Sequence, residues 1–238
     1  MALLDLIQDV SKTMGMPSPT VVVTSADTRV LELLIMADTT GKALTRRYEW
    51  QELVKTSTFT TTGTIDQGFL TGSIATDFGY FINQTFWNRT LTEPILGPVT
   101  PQRWQADLSG LMTSPPYEFV VQADKLFIGP TALDAGDTCV FNYSSKNWCE
   151  SAAGVGQDNF AADTDVTLIP QELFKLDLIW RWRQSKGLAY AEDLETAEDQ
   201  IESYIGQNTG RRVLFIGGGA IYYTDGNIPG GNWPQVAP

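Results

Sequence analysis

The chain has 238 residues, 16 Lys+Arg against 28 Asp+Glu, no histidine and two cysteines. Its 42% apolar content supports a packed core and excludes wholesale disorder, while 18% charged residues fall below the ~25% of ordinary globular domains, as expected where surface faces other subunits. Without an imidazole, neither Ser-His-Asp nor Cys-His catalysis can be built within this chain, and Cys139 with Cys149 cannot complete a four-ligand zinc site. A net charge of -12 argues against generic nucleic-acid binding, which needs a local excess of Lys and Arg.

Two cysteines in a chain of this length do not suggest a disulfide-stapled secreted fold, so Cys139 and Cys149 are expected as free thiols. The N-terminus carries Asp5 and Asp9 and no basic residue before Lys12, unlike a signal peptide. No apolar run approaches the roughly 20 residues needed to span a bilayer, and synthesis in the cytoplasm is expected.

Leu3, Leu6, Ile7 and Val10 recur at helical spacing, and Gly15, Pro17 and Pro19 end this first helix. Thr20–Thr24 reads as extended. Ser25 or Asp27 can then cap a second helix with Val30, Leu33, Leu34, Ala37 and Leu44 on one face, weakened in its middle by Gly41. From Ser57 the period changes. The Thr-rich run to Gly63 has strand composition, and Thr64–Leu70 is its expected hairpin partner. Further strands are expected at Tyr117–Gln122, Lys125–Ile128 and Thr138–Tyr143, the first two joined through Ala123-Asp124. One helix interrupts them, capped by Thr100, with Pro101 at its first position and Trp104, Leu108 and Leu111 on one side. Helices return after Pro170, first with Leu173, Phe174, Leu178, Ile179, Trp180 and Trp182, then with Tyr190, Leu194, Ala197 and Ile201. Residues 150–204 hold much of the acidic excess, and the last helix should present an acidic face.

The readings of these pieces as chemistry are weak. Gly217–Gly219 lacks the Gly-Lys-Ser/Thr ending of a phosphate loop and reads as a hinge. A carboxylate pair for glycoside hydrolysis cannot be read from spacing, and Trp87, Trp104 and Trp148 serve a core more readily than a sugar platform. No catalytic, cofactor-binding or metal-binding residue is assigned, and no cofactor is expected.

Several stretches in order carry a resemblance: Thr45-Arg-Arg-Tyr-Glu-Trp-Gln-Glu-Leu-Val54 before a Thr-rich strand, Phe86-Trp-Asn-Arg-Thr90, Leu96-Gly-Pro-Val-Thr-Pro-Gln-Arg-Trp104, Tyr143-Ser-Ser-Lys-Asn-Trp-Cys149, and Trp180-Arg-Trp-Arg-Gln-Ser-Lys-Gly187 followed by Tyr190-Ala-Glu-Asp193. Over about residues 1–215 the chain resembles the head–tail adaptor (connector, tail tubular protein A-like) proteins of short-tailed phages. The resemblance implies a non-enzymatic virion protein at the head–tail interface, made in the bacterial cytoplasm. It further implies a homo-oligomeric ring, usually a dodecamer, between the portal protein and the tail nozzle protein, through which genomic DNA passes without sequence-specific binding. The alternative is a tail-associated polysaccharide-binding or carboxylate-dependent polysaccharide-degrading protein.

The expected fold is α+β. N-terminal helices (1–56) and C-terminal helices (169–208) form one helical bundle, residues 57–168 an inserted, mostly antiparallel β domain, and 209–238 an extended C-terminal arm. The arm reads as a basic-apolar strand, a glycine hinge and a Pro-rich end that cannot bury its own aromatic residues. Partner binding is therefore expected at Arg211, Arg212, Phe215, Ile216, Tyr222, Tyr223 and Trp233, together with Trp180 and Trp182.

Overall fold

The computed structural model describes residues 2–110 and 117–208. It mixes helices with antiparallel sheets, and the described residues divide into two units, one built from 2–54 and 144–208 and the other from 55–110 and 117–143. The arm, and with it Arg211, Arg212, Phe215, Ile216, Tyr222, Tyr223 and Trp233, lies outside the described residues.

In the first unit, α1 (Leu3–Thr13) buries Leu3, Leu6, Ile7 and Val10. It has no side-chain cap. Its first free amides instead find carbonyls from far along the chain, Leu3 N–H donating to Asp165 O at 2.8 Å and Leu4 N–H to Asp163 O at 3.1 Å. The Asp163 carboxylate also accepts from Val22 N and Val23 N, at 3.1 and 2.8 Å. That anchoring explains a difference from the expected extended run. Thr20–Thr24 forms turns beside a carboxylate rather than a strand, with Val22 fully buried.

Helix α2 (Thr28–Thr45) is capped by Asp27, which accepts from Arg29 N at 2.9 Å. It buries Val30, Leu33, Ala37 and Leu44. Gly41, a weak point by propensity, is needed here for close approach, because a Cβ on it would overlap the Trp148 ring. A short 3-10 turn at Gln51–Leu53 leads into β1 (Val54–Thr60).

The second unit continues through β2 (Asp66–Phe69), a π-helical turn at Leu70–Ile74, β3 (Phe78–Phe81), β4 (Trp87–Asn88) and β5 (Glu93–Pro94). Helix α3 (Pro101–Leu108) starts at Thr100, whose hydroxyl accepts from Arg103 N. Then come β6 (Glu118–Gln122), β7 (Lys125–Gly129) and β8 (Thr138–Ser145). β6 and β7 form the expected hairpin, and the left-handed Ala123 and Asp124 (φ +49° and +63°) give its two-residue turn the twist that such hairpins require.

One sheet has the order β1-β8-β4-β5, with β3 also paired to β8; another has the order β2-β7-β6. β2 is therefore not the hairpin partner of β1. The end of β1 is held elsewhere, Thr61 N–H donating to Asp137 O at 2.9 Å and Thr61 Oγ1 to Asp134 O at 2.5 Å. The following loop is shaped by Gln67, whose Oε1 accepts from Thr62 N at 3.0 Å. Phe81, Phe86, Phe119 and Phe141 meet at centroid distances of 4.8 to 6.3 Å and centre this unit's core.

Past Ser144 the chain belongs with the helices. β9 (Cys149–Glu150) lies between the two-residue strands β10 (Gly156–Gln157) and β11 (Val166–Thr167). Trp148, Cys149, Phe160 and Ile169 enter the same core as α1 and α2, so the insert is shorter than 57–168. α4 (Gln171–Ser185) buries Leu173, Phe174, Leu178 and Ile179 and packs on α1, α2 and α5 (Ala191–Asn208).

Replacing Gly41 by alanine should cost about 1–3 kcal/mol, the usual penalty for forcing atoms into a filled core. Urea denaturation followed by tryptophan fluorescence checks this, and an unchanged midpoint would refute the close approach of α2 to Trp148.

Candidate partner-binding site

Trp180 and Trp182 sit two positions apart on α4 and therefore face different ways. Trp180 is half-buried. Its Nε1 donates to Asp177 Oδ1 at 2.7 Å, and Arg181 Nε donates to Asp177 Oδ2 at 2.6 Å. The Arg181 guanidinium also lies 4.7 Å from the centre of the Trp180 ring, and Tyr190 packs 6.4 Å away. Asp177 is almost fully buried, so this cluster anchors the surface of α4 from within.

Trp182 is half-buried on the other side, packed against the helical core. Its buried Nε1 finds no acceptor among the described residues. Lys186 lies 6.0 Å from its ring centre and forms an ion pair with Glu32 of α2. That pair ties the end of α4 to the outward face of α2, where Ile35 is 66% exposed, Leu31 37% and, just beyond α4, Leu188 51%. Leu31 and Ile35, one turn apart on α2, and Leu188 past α4 make up the exposed apolar surface of the two elements that the Glu32–Lys186 pair joins. Sequence reasoning missed it, although Leu31 and Ile35 stand off the buried stripe of Val30, Leu33 and Ala37, which is the signal that could have found them.

The acidic face expected on α5 is present. Glu192, Glu195, Asp199 and Glu202 are all exposed, at the 3-4-3 spacing of one helical stripe. Asp193 and Glu198, at its side, are engaged by Arg183 and Arg47. Other cations are paired as well. Among the described residues Lys12, Arg47, Lys55, Arg103, Lys125, Arg181, Arg183 and Lys186 each hold a carboxylate.

Two carboxylates of the second unit, Glu118 and Asp77, are buried. Glu118 is 1% exposed and receives Arg103 in a two-point pair, 3.1 Å at Nε, with Asp107 alongside. Burial first, and then the neighbouring Asp107, push the Glu118 carboxyl up from its ordinary range, while Arg103 pulls it down. Tyr143 Oη donates to Asp77 Oδ1 at 2.6 Å, and Lys55 Nζ donates to Asp77 Oδ2 at 2.5 Å. Burial and the adjacent Asp77 charge raise the Tyr143 hydroxyl. Trp104 and Trp148 are buried, so with Trp87 they line no sugar platform.

Among the described residues Cys139 and Cys149 are free and buried, and no cluster of three or more metal-ligating residues occurs. Burial pushes both thiols up to about 12. No helix among the described residues is long and apolar enough to cross a membrane. Set against known protein families and against curated proteins, the chain matches none.

Two measurements check this account. Arg103→Met removes the cation facing Glu118, and a buried carboxyl then retains its proton more tightly folded than unfolded, so stability falls as pH rises above the ordinary 4.5. The variant should lose more stability relative to the parent at pH 8 than at pH 5; an equal loss would sink the buried-pair assignment. Both thiols should stay unreactive toward Ellman's reagent at pH 8 until the chain unfolds.

Proposed function

We propose that this chain is a structural subunit of a head–tail adaptor ring in a short-tailed phage, seated between portal and tail nozzle around the DNA exit channel. The observation that carries the reading is the balance of the described surface. Eight of its fourteen cations are held by carboxylates of the same chain, an acidic stripe on α5 is left open, and apolar side chains are left uncovered on α2 and after α4. Such a surface repels phosphate and suits protein neighbours, the combination wanted where DNA must slide past without sticking.

The chain order adds support. Helices from both parts of the chain share one core, and a second unit lies between them in sequence, an order that supports the reading of a bundle with an inserted domain. In this reading the exposed apolar side chains Leu31, Ile35 and Leu188 meet a neighbouring copy or the portal. The C-terminal arm, with Tyr222, Tyr223 and Trp233, reaches a portal or tail protein. About twelve copies would close the ring, a number taken from the resemblance alone.

Purified protein mixed with portal rings and examined by mass measurement and negative-stain imaging tests the proposal. The expected result is a ring of this chain on the portal; a protein that stays monomeric beside intact portals would overturn it. Ile35→Asp, on an exposed position, should leave the helical circular dichroism unchanged while weakening ring formation at least tenfold. Ending the chain after Gly219 should likewise preserve the fold and abolish stable attachment.

A further inference from the structure

Among the described residues strand β1 stands at the end of its sheet with one side open. Open edges invite pairing with another strand, and natural proteins blunt them with proline, bulges, charges or shortness. The other edges among the described residues are blunted in this way. β5 has two residues including Pro94, β3 has four including Gly79, β10 and β11 have two each, and β2 has four with its register broken at Gly68, while the five-residue edge strand β6 is covered at its start by Leu96 and Val99, whose amides donate to Tyr117 O at 2.8 Å and Phe119 O at 3.0 Å. β1 is seven residues, Val54-Lys-Thr-Ser-Thr-Phe-Thr60, without proline or glycine, and its only charge, Lys55, is taken by Asp77. Thr61 donates its N–H toward β8, and Thr56 Oγ1 meets Asn142 Oδ1 at 2.9 Å. By strand alternation the amides and carbonyls of Thr56, Thr58 and Thr60 therefore face the open side.

The chain itself supplies an occupant. Near the end of α5, Tyr204 Oη donates to Glu52 Oε1 at 2.6 Å and its ring lies 5.7 Å from Trp50, so α5 ends beside the entry to β1. Asn208 is one turn further on, and Arg211 follows within about 10 Å of extended chain. Residues 211–216, Arg-Arg-Val-Leu-Phe-Ile, are one residue shorter than β1 and have strand composition. The exposed Glu49 and Glu52 at the entry complement the two arginines.

We propose that residues 211–216 add to the open edge of β1 in the same chain, parallel to it because both run away from the same end of α5. Arg211 and Arg212 lie beside Glu49 and Glu52, and one alternate set of apolar side chains packs on the face that carries Phe59. Tethering a few residues away gives the segment a high effective concentration, which favours it over a second copy. Gly217–Gly219 then releases only residues 220–238 toward a partner. This assignment does not rest on the adaptor reading.

Residue-resolved amide exchange tests it on the full chain, on the chain ended after Gly219 and on the chain ended after Gly210. Thr56, Thr58 and Thr60 should exchange at least tenfold more slowly in the first two than in the third, independent of protein concentration. A full-length Leu214→Pro, Phe215→Pro variant, which removes the donors and keeps the length, should behave like the shortest chain. With Cys139→Ser and Cys149→Ser in place, Thr58→Cys paired with Leu214→Cys or with Phe215→Cys should oxidise to a cross-linked monomer for at least one pair. Equal exchange in all chains, or a cross-link found only between two copies, would overturn the proposal.

Discussion

The first unit depends on one large side chain from outside its helices. Trp148 lies against Gly41 of α2, stacks on Phe174 of α4 at 5.6 Å and meets Phe160 edge-on at 4.7 Å, while its Nε1 donates to Asp158 O at 2.9 Å. An indole in this position makes the segment after Ser144 part of the helical core rather than part of the insert. The same segment supplies the carbonyls of Asp163 and Asp165 that satisfy the start of α1. Helices far apart in sequence are thus joined through a stretch that carries little regular structure of its own. An uncapped helix start would otherwise expose unpaired amides, so the arrangement addresses packing and hydrogen bonding together.

In the second unit the organising strand is β8, which pairs with β1 on one side and with β3 and β4 on the other. Its Phe141 joins the phenylalanine cluster, and its Tyr143 reaches Asp77. Asn88 of β4 donates to Asp137 at 2.8 Å with both residues buried. Buried carboxylates of this kind, Glu118 under the half-exposed Arg103 included, contribute modest net stability, since desolvation offsets much of the attraction. What they discriminate against is misregister. A slip by one residue would leave a carboxylate buried without its partner, which costs far more than the correct pairing gains.

The helices were legible because their signals are local. Asp27 and Thr100 cap where their sequence context says they should, and the buried stripes of α1 and α2 follow the 3.6-residue period. The β6–β7 hairpin was legible for the same reason, its turn being two residues between two apolar runs. The partner of β2 was not, because Thr61 is held by Asp134 and Asp137, more than seventy positions away, and no local pattern encodes that. The boundary near residue 144 was missed because Trp148 and Phe160 look the same in sequence whether they pack on a sheet or on helices. Trp180 and Trp182, expected together at a partner site, stand two positions apart on one helix and face different ways, and the exposed apolar side chains Leu31 and Ile35 come from another helix.

The low charge content acquires meaning once the ion pairs are known. Lys186 and Arg47 each bind a carboxylate more than a hundred positions away, so much of the positive charge is spent holding helices together. Part of the negative excess that remains lies along one exposed stripe of α5, where four carboxylates recur with helical spacing. Like charges at that spacing destabilise an isolated helix, and here Ala197 and Ile201, buried on the opposite side of α5, hold it against α4. A stripe kept at some cost to its own helix is best understood by what it repels. In the proposed ring that would be phosphate, and the apolar side chains exposed on α2 and past α4 would be free to face protein.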